Sequence, residues 1–129
     1  MRIKTYDLFL DVDFKGLKFA GKVLIDLESE SDIVLNSSGL EIGRISAGKK
    51  HFRFEQRGED LMVKTGPIAG RLEIEYTGPI RDSLVGIYRA PYGSAHMVTT
   101  QFEAVHARTM LPCVDNPGYK AEFKFAVRV

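Results

Sequence analysis

Only one cysteine, Cys113, stands in this chain of 129 residues. No disulfide framework can be built within it. Charge of one sign is equally scarce: 18 Lys and Arg against 17 Asp and Glu leave a formal net charge of +1. No basic stripe forms, which removes nucleic acid as an expected partner. Long apolar runs are missing too. The opening Met-Arg-Ile-Lys-Thr-Tyr-Asp turns charged before the roughly 7–15 apolar residues of a secretory signal can accumulate. Nowhere do about 20 apolar residues follow one another, as a membrane span requires. Low-complexity segments, charge blocks, internal repeats and helical periodicity of average length are likewise absent. These gaps leave a soluble, cytoplasmic globular protein with no membrane partner as the expectation. Hydrophobic residues make up 44% of the chain. That is enough for one domain, residues 1–129, with a modest core.

What is present is period two. Tyr6, Leu8, Leu10, Val12 and Phe14 alternate with Asp7, Asp11 and Asp13, describing a strand with one buried face. Lys15-Gly16-Leu17 offers a tight turn, and Phe19, Val23, Ile25 and Leu27 resume the alternation to complete a hairpin. Shorter strands are expected at Ile33 to Leu35, Leu40 to Ile45, His51 to Gln56 and Leu61 to Thr65. The last two join across Gly58-Glu59-Asp60. Arg71 to Thr77 alternates cleanly, with Leu72, Ile74 and Tyr76 inward. Short strands at such spacing predict an all-β fold, an antiparallel β sandwich or a saddle-shaped sheet. Lys120 to Val129 returns to alternation and runs to the final residue, so the chain is expected to be a C-terminally truncated part of a larger protein.

The texture differs between Ile80 and Tyr119, which holds Pro91, Pro112, Pro117, His96, His106 and Cys113. Loops carry function disproportionately, so candidate chemistry is sought here. A metal site is not expected, since His51, His96 and His106 share no ligand spacing and Cys113 fits none with His106. Cys113 lies between Pro112 and Val114, an apolar setting that favours an inert thiol over a nucleophile. The glycines between Gly39 and Gly48 lack the Lys-Ser/Thr and following helix of a phosphate loop. Arg108 and Asp115 flank the Met110–Cys113 turn and read as scaffold, a structural ion pair or a turn-stabilising hydrogen bond.

Thr99-Thr100-Gln101-Phe102-Glu103 is the exception. If extended, it places Gln101 and Glu103 on one face and Phe102 on the other. A carboxylate and a carboxamide two residues apart can hold an ammonium, Glu103 by charge and Gln101 by its carbonyl. From the local pattern alone, a solvated strand face is the better reading of the same pair.

Four segments bear on that choice. Gly86-Ile87-Tyr88-Arg89-Ala90-Pro91-Tyr92 resembles the GLYRSxY segment of the gluzincin-type zinc aminopeptidases, which include the alanyl, puromycin-sensitive and tricorn-interacting enzymes. Thr100-Gln101-Phe102-Glu103-Ala104 resembles their TQFEP or TQFEA segment. Ala107-Arg108 with Pro112 to Pro117 resembles DARRAFPCFDEP, and Lys120-Ala121-Glu122-Phe123 resembles the KATF strand. The order and spacing agree over about forty residues. Departures are His106 for the usual Asp, and Val114, Asn116 and Gly118 around the turn.

The resemblance implies a β saddle that covers a separate catalytic zinc domain, its expected partner. It implies that Gln101 and Glu103 line the substrate pocket and that Glu103 pairs with the α-ammonium at the N-terminus of a peptide substrate. Zinc, its His-Glu-x-x-His ligands and the catalytic residues are implied to lie outside these residues. The chain alone is then expected to bind no metal and to be inactive. The rival expectation is a free-standing β sandwich that binds a peptide or protein without chemistry. Such a module should leave no exposed apolar face where a second domain would dock.

Overall fold

A computed structural model describes residues 1–103 and 105–129. Ala104, which closes the TQFEA-like segment, lies outside the described residues. Eleven strands and one 3-10 turn make up the described elements. Three of them, β1 (Arg2–Asp13), β2 (Lys18–Ser29) and β8 (Ile68–Pro79), are 12 residues each and form the antiparallel centre of the largest sheet.

Their alternation dictates the core. Tyr6, Leu8, Leu10 and Val12 of β1 face Phe19, Val23, Ile25 and Leu27 of β2, which face Leu72, Ile74 and Tyr76 of β8, all buried. A register shift between Ile3 and Thr5 turns Ile3 onto this same face despite its odd spacing from Tyr6. Gly21 occupies an inward position because the Tyr76 ring fills the space a Cβ would need. Phe19 meets Tyr76 edge-on, with centroids 6.3 Å apart. Phe14, read from sequence as the next inward residue, lies beyond the end of β1 and is exposed.

The large sheet runs β11-β1-β2-β8-β4-β5, with β4 at Glu41–Ala47, β5 at Lys50–His51 and β11 at Glu122–Arg128. A three-stranded sheet, ordered β3-β7-β6, comprises β3 (Ile33–Asn36), β6 (Phe54–Arg57) and β7 (Asp60–Val63). Ile33, Leu35, Leu61 and Val63 carry its buried side into the common hydrophobic cluster. The single strand expected from His51 to Gln56 is in fact divided. Phe52 N still donates to Ile45 O of the large sheet, at 2.9 Å, whereas Arg53 O accepts from Lys64 N beside the small one, at 2.9 Å. The chain therefore changes sheets between these two residues.

Two features depart further from the expected pattern. Residues 86–101, for which no hairpin is expected from sequence, form one of β9 (Gly86–Tyr92) and β10 (Ala95–Gln101). Moreover, β11 does not join antiparallel: it lies parallel to β1, with Tyr6 opposite Phe123, Leu8 opposite Phe125 and Leu10 opposite Val127. The apolar side of β11 thus continues the core face of β1. Nothing covers it. Phe123, Phe125 and Val127 are 46%, 59% and 59% exposed.

Candidate functional site

The segment singled out by sequence sits where β10 leaves its hairpin. Gln101 is the last residue of β10 and pairs with Gly86. Phe102 leaves the strand with its ring packed against the core, and Glu103 lies in a turn. The pair is therefore not arrayed along one extended strand. A closer relation replaces that one: the Glu103 N–H donates to the Gln101 side-chain carbonyl at 3.1 Å. The turn is closed by His106 N donating to Phe102 O at 2.9 Å.

Both side chains are exposed. No hydrogen bond or ion pair to the Glu103 carboxylate occurs among the described residues. Its charge is thus free for an external cation, and the Gln101 carbonyl retains a second lone pair.

Downstream of this turn the chain is held firmly. A 3-10 turn covers Ala107–Thr109, and Thr109 Oγ donates to His106 O at 2.7 Å. Gly86, at φ +76°, presents its bare α-carbon to the Thr109 hydroxyl, and any side chain there would collide with it. Arg108 Nε donates to Asp115 Oδ2 at 3.1 Å, and Nη1 reaches Glu59 Oε2 at 3.1 Å. Burial alone would lower the Arg108 pKa, but hydrogen bonding and charge from Asp115, with help from Glu59, raise it. Asp115 N in turn donates to the Asn36 side chain at 3.0 Å, and Asn36 exchanges backbone bonds with Cys113. Val114 N donates to the Tyr6 hydroxyl at 3.0 Å. Burial, only partly offset by that bond, pushes the Tyr6 hydroxyl up to about 12.

Cys113 is buried. Burial first, then the nearby Asp115 charge, pushes its thiol up to about 12 against an opposing effect of Arg108. A thiol so disposed is protonated at neutral pH and is no nucleophile. His51 and His96 are exposed on separate strands, and His106 is half-buried. Among the described residues, no three His, Cys, Asp or Glu side chains converge on a point where a metal could sit. The residues here do not fit a zinc site.

Tyr6, Asn36 and Glu59 were not singled out by sequence as partners of this region. Each belongs to an ordinary strand or turn pattern, and no local signal marks a partner 49 to 108 residues away. Also unforeseen is an apolar groove of about 380 Å³ beside the site. Phe102, Ile87 and Val98 line it together with Val12, Phe125 and Val127.

The Peptidase M1 N-terminal domain family matches residues 3–129. "Probable aminopeptidase 2" of Sulfurisphaera tokodaii is 43% identical over 128 residues, covering 98% of this chain and 16% of its own length. "Leucyl aminopeptidase" of Saccharolobus solfataricus is 39% identical, covering 100% of this chain and 17% of its own. "Tricorn protease-interacting factor F2" of Thermoplasma acidophilum is 31% identical, covering 97% and 16%. The chain therefore spans about a sixth of the length of these relatives.

Proposed function

The chain belongs to the peptidase M1 N-terminal domain family, and on that footing we propose that it is the substrate-contacting part of a zinc aminopeptidase. Gln101 and Glu103 receive the free N-terminus of a peptide. The observation that carries this reading is the Glu103 carboxylate, exposed on a hydrogen-bonded turn with no partner among the described residues, inside a segment of a family whose relatives bear the name aminopeptidase.

The chemistry follows from charge and space. An α-ammonium offers three donors and a positive charge. Glu103 answers the charge, and the Gln101 carbonyl accepts one further hydrogen bond. A peptide whose amine is bound there extends only in the direction of its C-terminus, which is the geometry of an exopeptidase.

Catalysis and zinc belong to the remainder of the enzyme, and these 129 residues are inactive alone. The apolar side of β11 and the adjoining groove supply a docking face for that remainder, because relatives devote five-sixths of their length to other parts. A free-standing binding module would leave no such face, and Phe125 and Val127 are 59% exposed. Among the described residues, no helix is long and apolar enough to cross a membrane. We place the enzyme in the cytoplasm, where a single protonated thiol needs no oxidising partner.

The test is turnover of an aminoacyl reporter by the full-length protein, with and without a zinc chelator, for the wild type and Glu103→Gln. Removing one charge partner of a bound ammonium should cost roughly 2–5 kcal/mol of binding, read mainly as a raised KM. Chelator-insensitive turnover would sink the zinc assignment. An unchanged KM in Glu103→Gln would sink the role of that carboxylate.

A further inference from the structure

We propose that the Arg108–Asp115 ion pair is a positioning device for Glu103, setting where the amine-binding carboxylate stands; this rests on the reading of Glu103 given above. The pair is nearly enclosed, with side chains 13% and 12% exposed. Buried ion pairs are poor stabilisers, because desolvation offsets most of the attraction, and apolar replacements of similar size often do as well. What they supply is directional constraint. Here the constraint is aimed at one loop.

Asp115 Oδ2 accepts from both the Arg108 backbone N–H at 3.2 Å and the guanidinium Nε at 3.1 Å. A single carboxylate thus fixes main chain and side chain together. Arg108 O accepts from Ser38 N at 3.0 Å, and Nη1 reaches Glu59 across the β6–β7 turn. Asp115 is itself held by Asn36. Arg108 is therefore tied to three separate stretches of the chain.

From this anchor, hydrogen bonds among the described residues lead toward the site. Met110 N donates to Ala107 O, closing the 3-10 turn, and Thr109 Oγ donates back to His106 O. His106 N donates to Phe102 O, spanning the turn that carries Glu103. At its other end the turn hangs on Gln101, which β9 holds through Gly86. Thr109, one residue past Arg108, abuts that same glycine. Glu103 is thus suspended between two fixed points, the end of β10 and the anchored 3-10 turn. Loosening the second point lets the carboxylate wander, and an ammonium must then bear the cost of ordering it on binding.

A merely structural ion pair and a positioning one differ in their coupling to Glu103. The experiment uses the full-length enzyme, an aminoacyl reporter and four variants: Asp115→Asn, Glu59→Gln, Glu103→Gln and the double Asp115→Asn/Glu103→Gln. Melting temperature is recorded for each. Asp115→Asn should raise KM about tenfold while kcat stays within about twofold. In the Glu103→Gln background the same substitution should change KM hardly at all, since the group it positions is gone. Glu59→Gln, a milder change at the exposed partner, should raise KM about two- to threefold and decides the matter should Asp115→Asn fail to fold. A lowered melting temperature with unchanged KM, or an equal KM increase in both backgrounds, would overturn the proposal and leave the pair as scaffold. An unchanged KM in Glu103→Gln itself would instead remove the underlying reading of Glu103, and the proposal with it.

Discussion

Strands β2 and β11 read alike in sequence and end in opposite circumstances. Phe19, Val23, Ile25 and Leu27 alternate with polar residues, as do Phe123, Phe125 and Val127. The first set is at most 1% exposed, whereas the second runs from 46% to 59%. Both sets lie on the same side of the same sheet. The difference is position: β2 is flanked by β1 and β8 and lies inside the buried cluster, while β11 is the edge. Alternation says which face is apolar. It does not say whether anything lies upon it.

Substitutions can break that comparison. The largest effect belongs to the buried strand: Ile25→Ala should cost roughly 2–5 kcal/mol in denaturant unfolding, since Ile25 is fully buried. A loss below about 1 kcal/mol would mean that the centre is no better packed than the edge. An intermediate effect comes from alkaline titration of the core near Cys113. Its thiol has an ordinary value of 9.0 and is pushed up to about 12 in the fold. The folded state therefore holds the proton more tightly. Its stabilising contribution is complete below pH 9 and is lost as pH rises from 9 toward 12, by at most about 1.4 kcal/mol per pH unit for one proton. Cys113→Ala should flatten this decline, and an unchanged alkaline slope would show that the thiol plays no part. The smallest effect belongs to the edge: Phe125→Ser in these residues alone should change stability by less than about 0.5 kcal/mol. A large loss would show that β11 is packed after all.

The central strands were legible because one buried face imposes period two, and Tyr6 to Val12, Phe19 to Leu27 and Leu72 to Tyr76 obey it. Phe14 was misplaced because alternation carries no stop signal. The Asp13 carboxylate supplies the stop instead, accepting from Gly16 N at 2.9 Å. The β9–β10 hairpin escaped notice because Pro91 interrupts its first strand and Thr99, Thr100 and Gln101 dilute its second. A cue was there: Gly93-Ser94 is a two-residue turn between Tyr92 and Ala95, with Gly93 at φ +59°. At the site, the residue types of Gln101 and Glu103 were readable from their segment. Their relative geometry was not, because the extended strand stops at Gln101 and a side-chain carbonyl caps the next turn. Arg108 and Asp115 were readable as a pair, being 7 apart in sequence; Glu59, 49 residues from Arg108, was not.

The parallel pairing of β11 with β1 also sets an order of events in folding. Thr5 finds its partner at Glu122 and Asp11 at Arg128, whereas the β1–β2 hairpin closes through the few residues between Asp13 and Lys18. Contacts so distant in sequence form slowly, since a long stretch of chain must be ordered before they are rewarded. During synthesis the hairpin is complete long before β11 exists. The outer edge of β1 then waits with its backbone donors and acceptors open, able to pair with any strand it meets. Pairing with β11 closes that edge of β1 and moves the open edge to β11 itself.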